Sequence, residues 1–400
     1  MTSRRDLLKS GALLAGASSI WLPMAGCGVP TRPAGTFDQE GVLLGLYTDD
    51  AYAATLRAMA LVDLSWLQPG QSVLVKLACN SGHRHPSVTA PGAVRGMVEA
   101  LLAAGAGRVV VADQAGVEAV RLAEGNQRYG STRSLMARNG LLDAIEESGG
   151  EAHFFDEEDF DEGYFPGTTP FDSYWTQPMM LPSIVNDVDH IVYMPRLSSH
   201  TLCGYTHGLK LSMGWIRDDS RYHVHHKAEW IYEKYVEINY ATEIASRLRL
   251  TFTVAESVLL DAGPDDGTIV DLDQTVVVAS PSLANHDAVS VAVLAHFDDN
   301  ADRETGLGYG AAANSINYLF LTSIPGRTGD IPWGPGQPGG YTSYAPHRYQ
   351  QGVQSDRALR RAYELTGGQP EAIELMFDGE SPTDALLDGL TSYSRGLLSV

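Results

Sequence analysis

The chain has 400 residues and a formal net charge of −21 at pH 7, with 28 Lys or Arg against 49 Asp or Glu. A protein this acidic lacks the basic surface that phosphate backbones and anionic lipids attract, which argues against nucleic-acid partners and electrostatic membrane binding. Its three cysteines contain no Cys-x-x-Cys, so neither a disulfide framework nor an iron–sulfur cluster, which normally takes four ligands, is expected in this chain.

The N-terminus speaks to location. Ser3-Arg4-Arg5-Asp6-Leu7-Leu8-Lys9 is a twin-arginine signature, followed by an apolar, small-residue stretch from Gly11 to Gly26. The stretch is too short for a membrane span and is interrupted by Ser18, Ser19 and Pro23, so it reads as an export signal. Met24-Ala25-Gly26-Cys27 closes it in the manner of a lipoprotein box, making Cys27 the expected lipid anchor; cleavage without a lipid is the alternative. The protein is thus expected at the periplasmic or cell-surface face of a bacterial membrane. The twin-arginine route carries folded passengers, many with a cofactor, so a bound metal or cofactor is expected without being identified.

Residues 1–26 are then the signal and 27–41 the anchor and a polar tether. An α/β domain is expected over 42–300 and an irregular or helical extension over 301–400. About 370 residues remain after the signal, enough for a substantial core.

In chain order, Asp49 to Trp66 predicts an amphipathic helix with Asp49 or Asp50 near its cap. Ser72 to Ala78 is a continuous apolar run of the kind seen in buried parallel strands. Pro91 and Gly105 frame a helix from Gly92 to Ala104, and Arg108 to Asp113 is a second buried strand. This strand–helix–strand order predicts a mostly parallel central sheet with helices on both faces. Leu135 to Ser148 reads as helix, Glu151 to Phe155 as extended and Asp189 to Met194 as another buried strand. Ile231 to Leu248 reads as helix, Leu250 to Leu260 and Thr275 to Ala279 as strands, and Asn285 to His296 as a closing helix capped by Asn285. The acidic, aromatic segment Asp156 to Pro182 reads as an insertion or lid. Ile324 to Tyr349 is a long Gly/Pro/Tyr-rich segment. Gly306 to Gly310 follows no strand, so it lacks the context of a dinucleotide loop.

Ligands of open α/β sheets bind at strand carboxyl ends. Lys76, Asp113, Asp261 and Asp287 fall at or near such ends, and His200 follows the Met194 strand. Asp113 and Asp287 also suit turn or helix caps, and Lys76 needs a partner, for which Asp113 and Asp261 are the candidates. His200, Cys203, His207 and Lys210 would share one face of a regular helix, but Gly204, Thr206 and Gly208 favour a loop or broken helix. In His223-Val224-His225-His226, an extended backbone would put His223 and His225 on one face, spacing suited to a divalent metal; a ligand-free surface cluster is the alternative. Five of the chain's 12 histidines fall within 200–226, which favours a site there. No Gly-x-Ser-x-Gly, His-Glu-x-x-His or phosphate-loop motif occurs.

The order of these pieces resembles the domain-of-unknown-function 362 family. The resemblance runs from about Ser72 to His296. It rests on Val73 to Lys76, Pro91 to Asp113, Pro195 to His200 with Thr206, Lys210 and Gly214, the His223–His226 segment, Glu256, the turn Asp261 to Pro264 with Gly267, and Ser280 with Asp287. Leu77-Ala78 stands where that family usually has Pro-Asn, Arg196 and Ser198 where it commonly has lysines, and the cysteine-rich segment of many members is missing.

His200, Lys210 and Lys76 are therefore the candidate catalytic groups. Asp113, Asp261 and Asp287 are the candidate ligand-binding groups, and His223, His225 and His226 the candidate metal ligands. His200 suits acid/base work, because its unperturbed pKa lies near neutrality, and Lys210 would stabilise an anion. The expected partner is a small molecule or metal. A non-catalytic envelope-binding or assembly lipoprotein, making contact through Asp156–Asp172 or the C-terminal tail, is the other reading.

Overall fold

The computed structural model describes residues 41–200, 203–226, 230–261, 263–265, 267–301 and 352–399, without the side chains of His225 and His226. The signal, Cys27, the tether before Gly41, Gly306–Gly310 and Ile324–Tyr349 lie outside the described residues.

The elements run β1 (Val42–Tyr47), α1 (Ala51–Met59), β2 (Ser72–Leu77), α2 (Pro91–Ala103), β3 (Arg108–Asp113), β4 (Arg121–Ala123), β5 (Gln127–Tyr129), α3 (Thr132–Asn139), α4 (Leu141–Glu147) and β6 (Glu151–Phe154). There follow β7 (Tyr164–Pro166), β8 (Met180–Pro182), β9 (His190–Met194), β10 (Ser198–His200), β11 (Gly204–Thr206), α5 (Gly208–Leu211), α6 (Asp218–His226), α7 (Ile231–Asn239) and α8 (Thr242–Ala245). The chain closes with β12 (Leu248–Leu260), β13 (Thr268–Ser280), α9 (Leu283–Asn300), α10 (Arg357–Leu365), β14 (Ile373–Gly379), α11 (Asp384–Ser394) and β15 (Leu398–Ser399).

One eleven-stranded sheet organises them, in the order β15-β14-β1-β13-β12-β9-β2-β3-β6, with the β10–β11 hairpin beside β12. Only the β1–β13 and β13–β12 pairings along this path are antiparallel. The protein is therefore α/β with a mostly parallel central sheet. Alternation along the strands feeds two cores: Val73, Val75 and Leu77 pack with α1 to α4 on one face, while Leu74, Ile191 and Tyr193 pack with α7, α9 and α10 on the other. Strands buried on both sides need apolar residues at nearly every position, which is why β2, β3 and β9 were legible as continuous runs.

Boundaries moved where local chemistry intervened. Asp50 caps α1 by accepting from the Ala53 N–H at 2.9 Å. The helix stops at Met59, well short of Trp66; a few residues later the Asp63 carboxylate accepts from the Ser65 N–H at 2.8 Å, holding a turn. The helix expected over Leu135–Ser148 is two helices hinged at Gly140, whose φ of 87° belongs to the left-handed region. Strand β13 begins seven residues before Thr275. Its first half alternates partly buried and exposed positions in a ribbon with β12, so it has no apolar run to announce it. The cap of α9 is Ser282, accepting from Asn285, and not Asn285 itself.

The described part of the C-terminal hundred residues is helical in α10 and α11, and it also supplies β14, parallel to β1. Segment 156–182 forms the β7–β8 hairpin and is tied to the body through Glu237, which accepts from Ser173 Oγ at 2.6 Å and from the Tyr174 N–H at 3.0 Å.

Candidate functional site

The neighbouring parallel strands β9, β2 and β3 finish together, and Lys76 sits one residue from the end of the middle one, in register with Ala112 and Tyr193. Its Nζ lies 2.5 Å from Asp113 Oδ1, with the two side chains only 1% and 4% exposed. The amine also donates to the Leu77 carbonyl at 2.9 Å. The carboxylate accepts from the Cys79 N–H at 2.6 Å and the Gln114 N–H at 2.8 Å. Burial pushes the Lys76 pKa down and that of Asp113 up, and their mutual attraction opposes both shifts. Trp215 lies over the amine, its ring centre 5.8 Å away. Gly214 packs so tightly on the pair that a Cβ there would collide with Asp113 Oδ1 and Lys76 Nζ.

The pair forms part of the wall of a cavity of about 170 Å³ at the strand ends. Arg196, His200, Cys203, Lys210, Asn80 and Asp265 also line it. The Nδ1 of His200 accepts from the Cys203 backbone N–H at 3.3 Å, so the proton of the neutral ring belongs on Nε2. Both Cys79 and Cys203 are free and buried. Burial pushes the Cys203 thiol up to about 11, against the pull of Lys210, and raises Cys79 further.

Two cations set the character of the cavity. Arg196 is 2% exposed; its Nη1 donates to the carbonyls of Pro86, Ser87 and Pro264, but its Nε has no partner among the described residues. Burial lowers its pKa to about 10, opposed by the charge of Asp265. Asp265 in turn takes its hydrogen bonds from Asn80 Nδ2 at 3.0 Å and Ser81 Oγ at 2.6 Å. Lys210, carried by α5, has no acceptor or carboxylate partner among the described residues. Burial lowers its pKa, as do the charges of Arg196 and Arg221, against the opposing influence of Cys203. A third cation, Arg221, is committed to the carbonyls of Ile216 at 2.9 Å and Ala115 at 2.8 Å.

Of the residues singled out from sequence, Lys76, Asp113, His200 and Lys210 meet in this cavity. Asp261 and Asp287 do not line it. Asp261 adopts φ 70° at the end of β12 and accepts from Thr268 Oγ1 at 2.6 Å, holding the β12–β13 turn. Asp287 accepts from the Gly208 and Leu209 N–H groups at 2.8 and 2.7 Å, so it caps the short helix that carries Lys210. The capping alternative is the one the geometry supports for Asp287.

His223 to His226 are helical, and about 100° per residue puts His223 and His225 roughly 200° apart, on different faces. The His223 ring packs on Trp175 at 5.3 Å, and its Nε2 meets the Thr176 N–H at 3.3 Å. Among the described residues no group of three or more His, Cys, Asp or Glu is placed to hold a metal ion. Arg196, Asn80 and Asp265 were missed as site residues. Arg196 was visible as a cation where lysine is usual in the resembling family, and Asp265 directly follows the Gly-Pro turn.

The model of the domain of unknown function (DUF362) matches residues 73–292, more than half of the chain. The chain belongs to that family. All four predicted residues that meet in the cavity lie within the matched span. No curated protein matches the chain. Solved structures similar to it include the following two. The lactate racemase apoprotein from Thermoanaerobacterium thermosaccharolyticum is 16% identical with a TM-score of 0.37, over 64% of this chain and 58% of that one. A Thermotoga maritima protein known from its crystal structure is 12% identical with a TM-score of 0.34, over 70% and 60%. The chain thus spans about three-fifths of the length of each.

Proposed function

We propose that the chain is an exported, lipid-anchored protein whose cavity at the ends of β2, β3 and β9 binds a small organic anion, with His200 and Lys210 placed to act on it. The observation that carries this reading is Lys210, a cavity-lining ammonium with no partner among the described residues in a chain whose net charge is −21. A partly buried ammonium without a counterion leaves its charge poorly compensated, and an anionic ligand would supply what the protein withholds. The Arg196 guanidinium, which also lines the cavity, supplies a second positive charge of the kind that suits a carboxylate or phosphate. Two cations lining one cavity favour an anion over a divalent metal at this place, by simple repulsion.

Calorimetric titration of the exported protein with acetate, pyruvate, phosphate and sulfate tests the reading. At least one anion should bind with one-to-one stoichiometry, and Lys210→Met should weaken it by about tenfold or more, the effect of about 1.4 kcal/mol. No binding, or binding indifferent to Lys210→Met, would overturn it. The location rests on Arg4-Arg5 and Cys27. Replacing both arginines with lysine should stop export, and Cys27→Ser should release the exported protein from the membrane fraction.

A further inference from the structure

The chain contains only five lysines: Lys9, Lys76, Lys210, Lys227 and Lys234. Two of the five line one cavity of about 170 Å³, and they are used differently there. Lys76 is locked to Asp113, and Lys234 donates to the His223 carbonyl at 2.9 Å. Lys210 alone of these three presents its amine to the cavity without an acceptor among the described residues. The same cavity is lined by Arg196, whose guanidinium brings a second positive charge, and by His200, whose Nδ1 already accepts a backbone N–H.

An amine without an acceptor among the described residues, a guanidinium and an imidazole around one small cavity are groups suited to carbonyl capture. We infer that Lys210 is a nucleophile that forms an imine with a small 2-oxo acid whose carboxylate is held by Arg196. This rests on the anion-binding reading above and narrows it to one substrate class. The Lys210 Nζ lone pair attacks the ketone carbon, a C–N bond forms, and the carbonyl electron pair moves to oxygen. The two protons of the neutral amine then leave with that oxygen as water, with His200 as the group that relays them, and the C=N bond is left. Nothing is oxidised or reduced. Burial lowers the Lys210 pKa, so the charged form that attracts the anion exchanges more readily with the neutral amine that makes the attack.

Borohydride trapping tests the inference. The exported protein is incubated with pyruvate and sodium borohydride, then analysed by intact mass and peptide mapping. The expected result is a single reduced pyruvate-derived group on the peptide containing Lys210, absent from Lys210→Met and from Lys210→Arg. Acetone, which has the carbonyl but no carboxylate, should be trapped roughly tenfold more slowly or worse, the loss of about 1.4 kcal/mol of carboxylate binding. An adduct on Lys227, Lys234 or the chain terminus in place of Lys210 would overturn the inference. Pyruvate binding without any adduct would overturn the imine and leave the anion pocket standing. Failure of every anion to bind would overturn both.

Discussion

Lys76 Nζ and Asp113 Oδ1 lie 2.5 Å apart at the carboxyl edge of adjacent parallel strands, shielded by Trp215 and pressed against Gly214. This contact joins the ends of β2 and β3 and also forms part of the cavity wall. The pair is weak as a source of net stability, because desolvation offsets much of its attraction, but it is costly to break halfway.

Lys76→Met leaves Asp113 buried without its cation. Urea unfolding should show a loss of about 3–5 kcal/mol, with part of it recovered in Lys76→Met/Asp113→Leu, where no charge remains stranded. A Lys76→Met variant as stable as the parent would show that the pair does not hold the strand ends.

Gly214 has no left-handed backbone to excuse it; its role is steric. Gly214→Ala should force the ion pair apart and weaken anion binding even if the domain still folds. Calorimetric titration beside a melting curve separates the two effects, and unchanged anion affinity would count against this role.

Asp287 acts through the backbone of α5. Asp287→Ala strands two buried N–H groups and removes the partner of His286 Nδ1, 2.8 Å away, so a loss of about 2–5 kcal/mol is expected. Asp287→Asn, which keeps one acceptor, should lose about half as much in the same denaturant titration. As a positioning residue for Lys210, Asp287→Asn should also slow pyruvate trapping while leaving the trapped lysine unchanged.

His207 is fully buried, both ring nitrogens lack partners among the described residues, and burial holds its pKa well below the ordinary histidine value. Folded, it stays neutral; unfolded, it takes a proton below about pH 6.5. Its contribution is therefore fully present above that pH and declines on acidification, by about 1.4 kcal/mol per pH unit. His207→Phe should leave stability at pH 7 equal or higher and flatten the decline between about pH 6.5 and 5 by one proton's worth. An unchanged slope in chemical denaturation would refute this account.

The legibility of the site followed the same physics as that of the strands. Lys76 stood out because an ammonium in an apolar run demands a partner, and Asp113 was named because it ends the next strand of the same unit. Asp261 and Asp287 looked equivalent to Asp113 in sequence, since each carboxylate follows or opens an element. What distinguishes them is which N–H or hydroxyl each meets: the cap of α5 for Asp287, Thr268 for Asp261. The run from His200 to Lys210 held its interest for a different reason from the helical one. It is a hairpin strand, a turn and a four-residue helix, yet His200, Cys203 and Lys210 still line one cavity while His207 is buried apart from it.

The sequence by itself determined the α/β class, the parallel strands β2, β3 and β9, and the need to neutralise Lys76, because burial on two faces and the cost of an isolated charge are written in residue order. Tertiary structure decided the rest. It brought Arg196 and Asp265 to the wall, took Asp261, Asp287 and His223 away from it, and left Lys210 without a partner among the described residues. Those outcomes depend on which backbone groups lie within hydrogen-bond reach across hundreds of residues, a distance that no local pattern encodes.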